Sequence, residues 1–439
     1  MVADVVCLGE SMVTFRPSRP GRLADVPSFE RGIGGAESNV ACALAAAGHR
    51  TRWISRVGTD GFGDHVVEAI AAYGVDVSGV RRDPSRPTGV YFRTAGERVL
   101  GDLSGADASE VVYYRAGSAA SAMSPALIPA SDVWSGRILH LSGITAALSA
   151  DCLALMRELL VRRDGRPVVS FDVNYRAGLW RSGAADVLAE LARGSDIVFV
   201  GEDEAEALWG VRGADAVRAF LPEPSVLVVK GGAVGATAFF SPTPPLPETE
   251  ALPQTPDGLN CAPRSSASDG LGVTGGGGTR RGDAGRKAKQ SRVTPERPAP
   301  APDSEGRPNP ARPAFEDAPA GRSAAGGNGP ALGSAREPTD HVVKVPALHI
   351  DVVAPVGAGD AFAAGFLSGT LRGLPLEARV RHGHLAAAAA LTVPGDLAVP
   401  PERAFADRLV ALDDDAWGRL RLGPGWTGRS LSVEEGTAV

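Results

Sequence analysis

The chain has 439 residues, 44% of them hydrophobic and 22% charged, and a net charge of −6. That balance fits a soluble globular protein, and a mildly acidic chain with no basic stripe interleaved with aromatics is expected to bind no nucleic acid. Apolar runs fall short of the about 18 residues a membrane span needs, and MVADVVCLGE has no basic region ahead of its short apolar run, so the cytoplasm is the expected compartment.

In chain order, Val5–Leu8 reads as an apolar strand and Ala36–Ala47 as a helix stopped by Gly48. Trp53–Val57 is a strand, Gly63–Tyr73 a helix, Ile138–Leu141 a strand and Ala150–Arg163 a helix ending near Gly165. The strand Val168–Val173, a helix around Ala184–Ala192, and the strands Ile197–Val200 and Val226–Val229 follow. Two Ala-rich helices, Gly359–Leu371 and Leu376–Leu391, close the series. This alternation predicts an α/β fold with a doubly wound, mostly parallel sheet whose ligands sit at the carboxyl ends of strands. Two stretches break it. Residues 12–35 and 88–118 show β spacing with polar turns, including a hairpin-like VYFRTAG–ERVL, and predict a small β lid.

Residues 242–340 stand apart. PTPPLPETE, TGGGGTRRG and PERPAPAP hold much of the chain's excess of Gly (55) and Pro (34), and Phe315 is the segment's only aromatic. Such a composition cannot bury enough apolar surface to offset chain entropy, and predicts a disordered insertion. Gly270, Gly272 and Gly275 match GxGxxG, but no strand precedes them and no helix follows, so the match fails as a dinucleotide fingerprint. The expected organisation is one domain from residues 1–241 and 341–425, with a tail at 426–439. Cys7, Cys42, Cys152 and Cys261 form no CxxC pair. This argues against structural zinc and a disulfide framework, and the first three read as buried small hydrophobes.

Pro355–Phe366, PVGAGDAFAAGF, carries the strongest chemical signal. Gly357 and Gly359 precede an apolar helix, where converging backbone N–H groups and the helix dipole favour an anion. Asp360 could simply cap that helix. A carboxylate in a phosphate nest is costly unless it has a proton to accept, which favours a base. Val229–Ala236, VKGGAVGA, could be a tight turn between strands. Glu202, Asp203 and Glu206 suit a helix start, and Arg176, after a strand's carboxyl end, suits a bidentate carboxylate clamp. Asp172, Asn174 and Arg176 are expected to be exposed there. Glu10 either lines the site or is a solvated strand end. No GxxxxGK[ST] loop is present.

VGAGDAFAAGF resembles the C-terminal signature of ribokinase-like (PfkB) carbohydrate kinases, and GIGGAESN (Gly32–Asn39) with VGTDGFGD resembles their N-terminal one. The resemblance covers about residues 1–241 and 341–425. It implies ATP and Mg2+, with Gly357, Ala358, Gly359 and Asp360 forming an anion hole and Asp360 as the base. It assigns Lys230, Gly231, Gly232 and Gly235 to the nucleotide, His384 and Ala387 to an adenine wall, and Glu204 to an N-x-x-E motif that organises Mg2+ indirectly. The Asn of that motif is Gly201 here, and Ala354 stands where many relatives carry Asp, so potassium activation is not expected. FDVNYRAGLW and VVYYRAGSAA are similar to 2-keto-3-deoxygluconate kinases, the first also to fructokinases. The resemblance implies a sugar-acid site of Gly34, Gly35, Asn39, Tyr91, Tyr113, Arg115, Asn174 and Arg176, and a homodimer through the lid. A fructokinase or another sugar kinase of the family, or a sugar-sensing or scaffold protein on a retained kinase fold, is the alternative.

Overall fold

A computed structural model describes residues 2–19, 21–94, 111–241 and 340–428. The insertion expected at 242–340, apart from Asp340, lies outside the described residues, as do the GxGxxG glycines, Cys261, the ERVL half of the hairpin and residues 429–439 of the tail.

The principal strands are β1 (Ala3–Leu8), β2 (Met12–Pro17), β3 (Phe29–Gly34), β4 (Thr51–Gly58), β5 (Asp76–Asp83), β6 (Val90–Arg93), β7 (Val111–Tyr114), β8 (Gly136–Ser142), β9 (Val168–Asp172), β10 (Ile197–Gly201), β11 (Val226–Lys230), β12 (Gly235–Phe240) and β13 (His341–Pro346). Nine form one sheet in the order β13-β12-β11-β10-β9-β8-β1-β4-β5. From β5 to β11 every neighbouring pair is parallel, and β12 and β13 add antiparallel strands at one edge. Alternation along each strand feeds two cores, one on either face. Val5, Cys7, Ile197 and Phe199 join the core under the Ala358–Leu371 and Leu376–Leu391 helices, while Val6, Leu8, Val198 and Val200 join the other. β9 and β10 are buried along their whole length, as strands covered by helices on both faces must be. Cys7, Cys42 and Cys152 are buried with free thiols.

The small sheet has the order β3-β2-β6-β7. Its residues match the predicted lid segments. β6 has both edges occupied, by β2 and by β7, so its antiparallel partner is Val111–Tyr114. The expected helix through Arg163 ends at Leu160, and Arg162 and Arg166 instead pair with Asp196. No described helix is long and apolar enough to cross a membrane.

Candidate active site

The sheet reverses its winding between β1 and β8, and there a cleft of ≈ 980 Å³ opens at the carboxyl ends of the parallel strands. Those ends supply Glu10 after β1, Asp172 on β9, Gly201 on β10 and Lys230 on β11. The Ala358–Leu371 helix aims its N-terminus into the cleft. Phe199 of β10 fixes it from below, meeting Phe366 edge-on at 5.4 Å and Phe362 at 6.4 Å.

Gly357 is the N-cap, with φ 76, in the left-handed region glycine favours. A Cβ there would stand 2.3 Å from the Asp396 carbonyl oxygen. No side chain caps the helix, so its first-turn amides face the cleft unsatisfied by a cap. Asp360 therefore does not act as the cap. Its carboxylate accepts from Asn39 Nδ2 at 2.9 Å and from Asn174 Nδ2 at 3.4 Å. Asn174 has φ 40, the only positive φ at a non-glycine position among the described residues. Such strain persists where surrounding contacts over-determine it. Burial pushes the Asp360 carboxyl up to about 7; Asn39 lowers it, Asp172 raises it, and Arg176 and Lys230 lower it.

Lys230 Nζ donates to both oxygens of Asp172, at 3.1 and 2.9 Å. Burial works against the ammonium, but Asp172 and Glu204 more than compensate, and its pKa is raised. Glu204 accepts from the Gly201 N–H at 2.7 Å and the Tyr175 N–H at 2.9 Å, tying the end of β10 to the segment after β9. Gly201 thus contributes a backbone amide where an Asn side chain was the expectation. Burial raises the Glu204 pKa. Asp172 and Asn174 are buried, at 2% and 6% exposure, against the expectation that they project into solvent. The Lys230 and Asp360 partnerships account for this.

The small sheet forms the opposite wall. Tyr91 stacks on Tyr113 at 5.4 Å, and the Arg115 guanidinium lies 5.7 Å from the Tyr113 ring centre. Arg115 pairs with Glu10, which also accepts from Ser118 Oγ. Glu10 is therefore a buried member of the wall and not a solvated strand end. Arg176 sits 3.7 Å from Glu204 with its side chain 38% exposed. Toward the other end the lining turns apolar, with Ala236, Leu348, Phe362, Ala387 and Leu391. His384 meets Phe362 edge-on at 5.2 Å, and burial pushes its pKa down to about 4, so the ring is neutral at pH 7.

Of the site residues read from the sequence, the cleft is lined by Gly34, Gly35, Asn39, Tyr91, Tyr113, Arg115, Asn174, Arg176, Glu204, Lys230, Gly232, Gly235, Gly357, Ala358, Gly359, Asp360, His384 and Ala387. Gly231 is not on the wall; its N–H donates to the Gly235 carbonyl and closes the turn. Sequence reasoning missed Met12, Ile144, Asp203 and Asp396 as lining residues. It also missed the fully buried Glu37, between the lining residues Ala36 and Asn39, which accepts from Ser142 Oγ at 2.7 Å and Thr145 Oγ1 at 2.6 Å. Burial pushes the Glu37 carboxyl up to about 7. The one available signal was a charged residue inside the otherwise apolar and small run GGAESNVACAL.

The chain is similar to known proteins in sequence and in fold. A 2-dehydro-3-deoxygluconokinase of Thermoproteus tenax is 36% identical over 243 residues, covering 54% of this chain and 72% of the relative. Among solved structures, a PfkB protein from Polaromonas sp. JS666 superimposes with a TM-score of 0.61 at 27% identity, covering 92% of this chain and 99% of that one. A fructokinase from Xylella fastidiosa, solved with bound ATP, gives a TM-score of 0.61 at 17% identity over 93% and 98% of the two chains, a likeness of fold. The description "pfkB family carbohydrate kinase" matches residues 2–252 and 326–403, which takes in both signature segments and every strand of the two sheets, and on that ground the chain belongs to the pfkB family of carbohydrate kinases.

Proposed function

We propose that the cleft transfers the γ-phosphoryl group of ATP to the terminal hydroxyl of 2-keto-3-deoxygluconate. The observation that carries the reading is Asp360: a carboxylate with a pKa raised to about 7, held by two asparagines in the first turn of an uncapped helix. A base poised near working pH is suited to take the proton of an attacking alcohol. Asn39 and Asn174 orient its two oxygens, and the amides of Ala358, Gly359 and Asp360 face the charge that develops on the transferred group.

The chain's residues fit a nucleotide. Lys230 supplies a fixed positive charge near the helix N-terminus, with Nζ 3.6 Å from where a Gly359 Cβ would be. The apolar stretch with a neutral His384 suits a purine ring. Mg2+ would supply charge neutralisation when bound. Glu204, whose two oxygens already hold backbone amides, fits contact with the ion through water, and no described cluster of His, Cys, Asp or Glu forms a protein-only metal cage.

Arg115 and Arg176, on facing walls, support a carboxylate-bearing sugar, as does the similarity to a 2-dehydro-3-deoxygluconokinase. Arg176 is the better placed, half-exposed and only loosely paired. One observation favours a neutral ketose such as fructose: the Arg115 charge is already balanced by Glu10. ADP release with Mg-ATP and 2-keto-3-deoxygluconate, fructose, ribose or no sugar separates the two. Turnover confined to the keto-acid supports the reading; turnover with fructose keeps the Asp360 chemistry and overturns the sugar-acid assignment.

A further inference from the structure

Three side chains of the small sheet close on one short segment beyond the Leu376–Leu391 helix. Tyr91 donates its hydroxyl to Asp396 Oδ2 at 2.9 Å. Arg93 pairs with the same carboxylate, the two side chains being 4% and 5% exposed. Arg16 donates to the Pro394 carbonyl. The segment presses equally hard in the other direction, since its Asp396 carbonyl leaves no room for a Cβ on Gly357, the N-cap of the helix that carries Asp360. Gly34 is packed as tightly, because a Cβ there would lie 2.7 Å from Asp396 Oδ2 and 2.1 Å from the Tyr91 hydroxyl. A close-packed chain of contacts with no slack transmits displacement and does not absorb it. Arg93 itself does not line the cleft, so any effect it has on the reaction passes through Asp396.

We propose that Arg93 is a positioning residue: through Asp396 it fastens the small sheet to the N-terminus of the Ala358–Leu371 helix, so that seating the sugar-facing wall also sets the helix amides and Asp360. A displacement of the small sheet at Asp396 then reaches the phosphate-facing amides. The kinetic half of this inference rests on the kinase reading, and the structural half does not.

The test uses the full-length protein and the variants Arg93→Lys, Arg93→Met and Arg16→Met, the last on a half-exposed side chain that leaves the buried pair intact. Backbone hydrogen exchange of the free protein is followed in residues 361–364, the first hydrogen-bonded amides of the Ala358–Leu371 helix, with β10 as the internal control. In Arg93→Met, exchange across 361–364 rises by about threefold or more while β10 is unchanged. Arg16→Met gives a smaller rise in the same residues, and Arg93→Lys lies closer to wild type. For whichever sugar the wild type phosphorylates, kcat of Arg93→Met falls by about tenfold or more while ATP affinity without sugar is held, and Arg93→Lys restores part of the loss. Faster exchange confined to β6 and 393–397, with 361–364 unchanged, overturns the proposal. If Arg93→Met fails to fold, the same comparison in Arg93→Lys and Arg16→Met decides. A wild type that phosphorylates no sugar defeats the kinase reading, and the exchange comparison still decides the coupling.

Discussion

The two sheets meet at one cleft but are built differently. In the large sheet, β9 and β10 are buried throughout, and at the carboxyl ends of the strands the charges are held: Asp172 by Lys230 of β11, and Glu204 by backbone amides. In the small sheet, β3 and β7 are half-buried or exposed over most of their length, Tyr114 is 65% exposed, and the contacts are stacked rings. The first is a rigid floor on which a proton and a phosphoryl group can be handled. The second is a thin wall whose side chains choose what is held against that floor. On the proposed reading, chemistry and selectivity are carried by layers of different burial, so substitutions in the two should fail differently.

The sharpest test of the floor is Asp360→Asn. Turnover should fall by about 10²–10⁴ with the fold intact, and in the wild type kcat/KM should rise with pH through about 7 as Asp360 loses its proton. Near-normal turnover in the variant would remove the base from the floor. Next is Lys230→Met, which leaves Asp172 buried beside Glu204 without its cation. Chemical denaturation should register a loss of about 3–5 kcal/mol, and a loss within error would mean the pair is solvated.

Glu37 has the opposite sign to an ordinary surface carboxylate. Its folded pKa lies above its unfolded one, so the unfolded chain binds fewer protons between about pH 4.5 and 7, and stability falls as pH rises through that window. Glu37→Gln should flatten this slope, a change of about 3 kcal/mol across the window, read from denaturation at pH 5 and pH 8. An unchanged slope would show that Glu37 does not titrate there. The smallest effect belongs to substrate choice at the rim of the floor: Arg176→Met should raise KM for the keto-acid about tenfold and leave KM for a neutral sugar unchanged. Equal shifts for both would take carboxylate recognition away from Arg176.

What the sequence disclosed follows the same division. The helix Leu376–Leu391 was readable to both its ends because Pro375 and the Ala/Leu run are local signals. β5 was missed because DVSGVRRD is an edge strand with two apolar residues in eight. β12 and β13 were missed because residues 242–340 separate them. The glycine and aspartate segments of the site were legible as motifs. Asp396 was not, since VPGDL holds no pattern, and its contacts to Tyr91 and Arg93 span three hundred residues of sequence. Nor was the burial of Asp172, which depends on a lysine two strands away.

β12 and β13 run antiparallel with Phe240 opposite His341, so the chain leaves the sheet and returns to it at neighbouring positions, and Arg218 secures the returning end through Asp340 at 2.7 Å. Topologically the pair is a hairpin whose connection has been replaced by residues 242–340. A short turn in their place would join ends that already face each other, and extra length there adds only about 0.6 kcal/mol per doubling. The hairpin end is thus a port on the outer edge of the sheet, at the opposite end of β12 from Gly235 and Ala236 of the cleft, where a gain or loss of sequence is expected to leave the cleft in place.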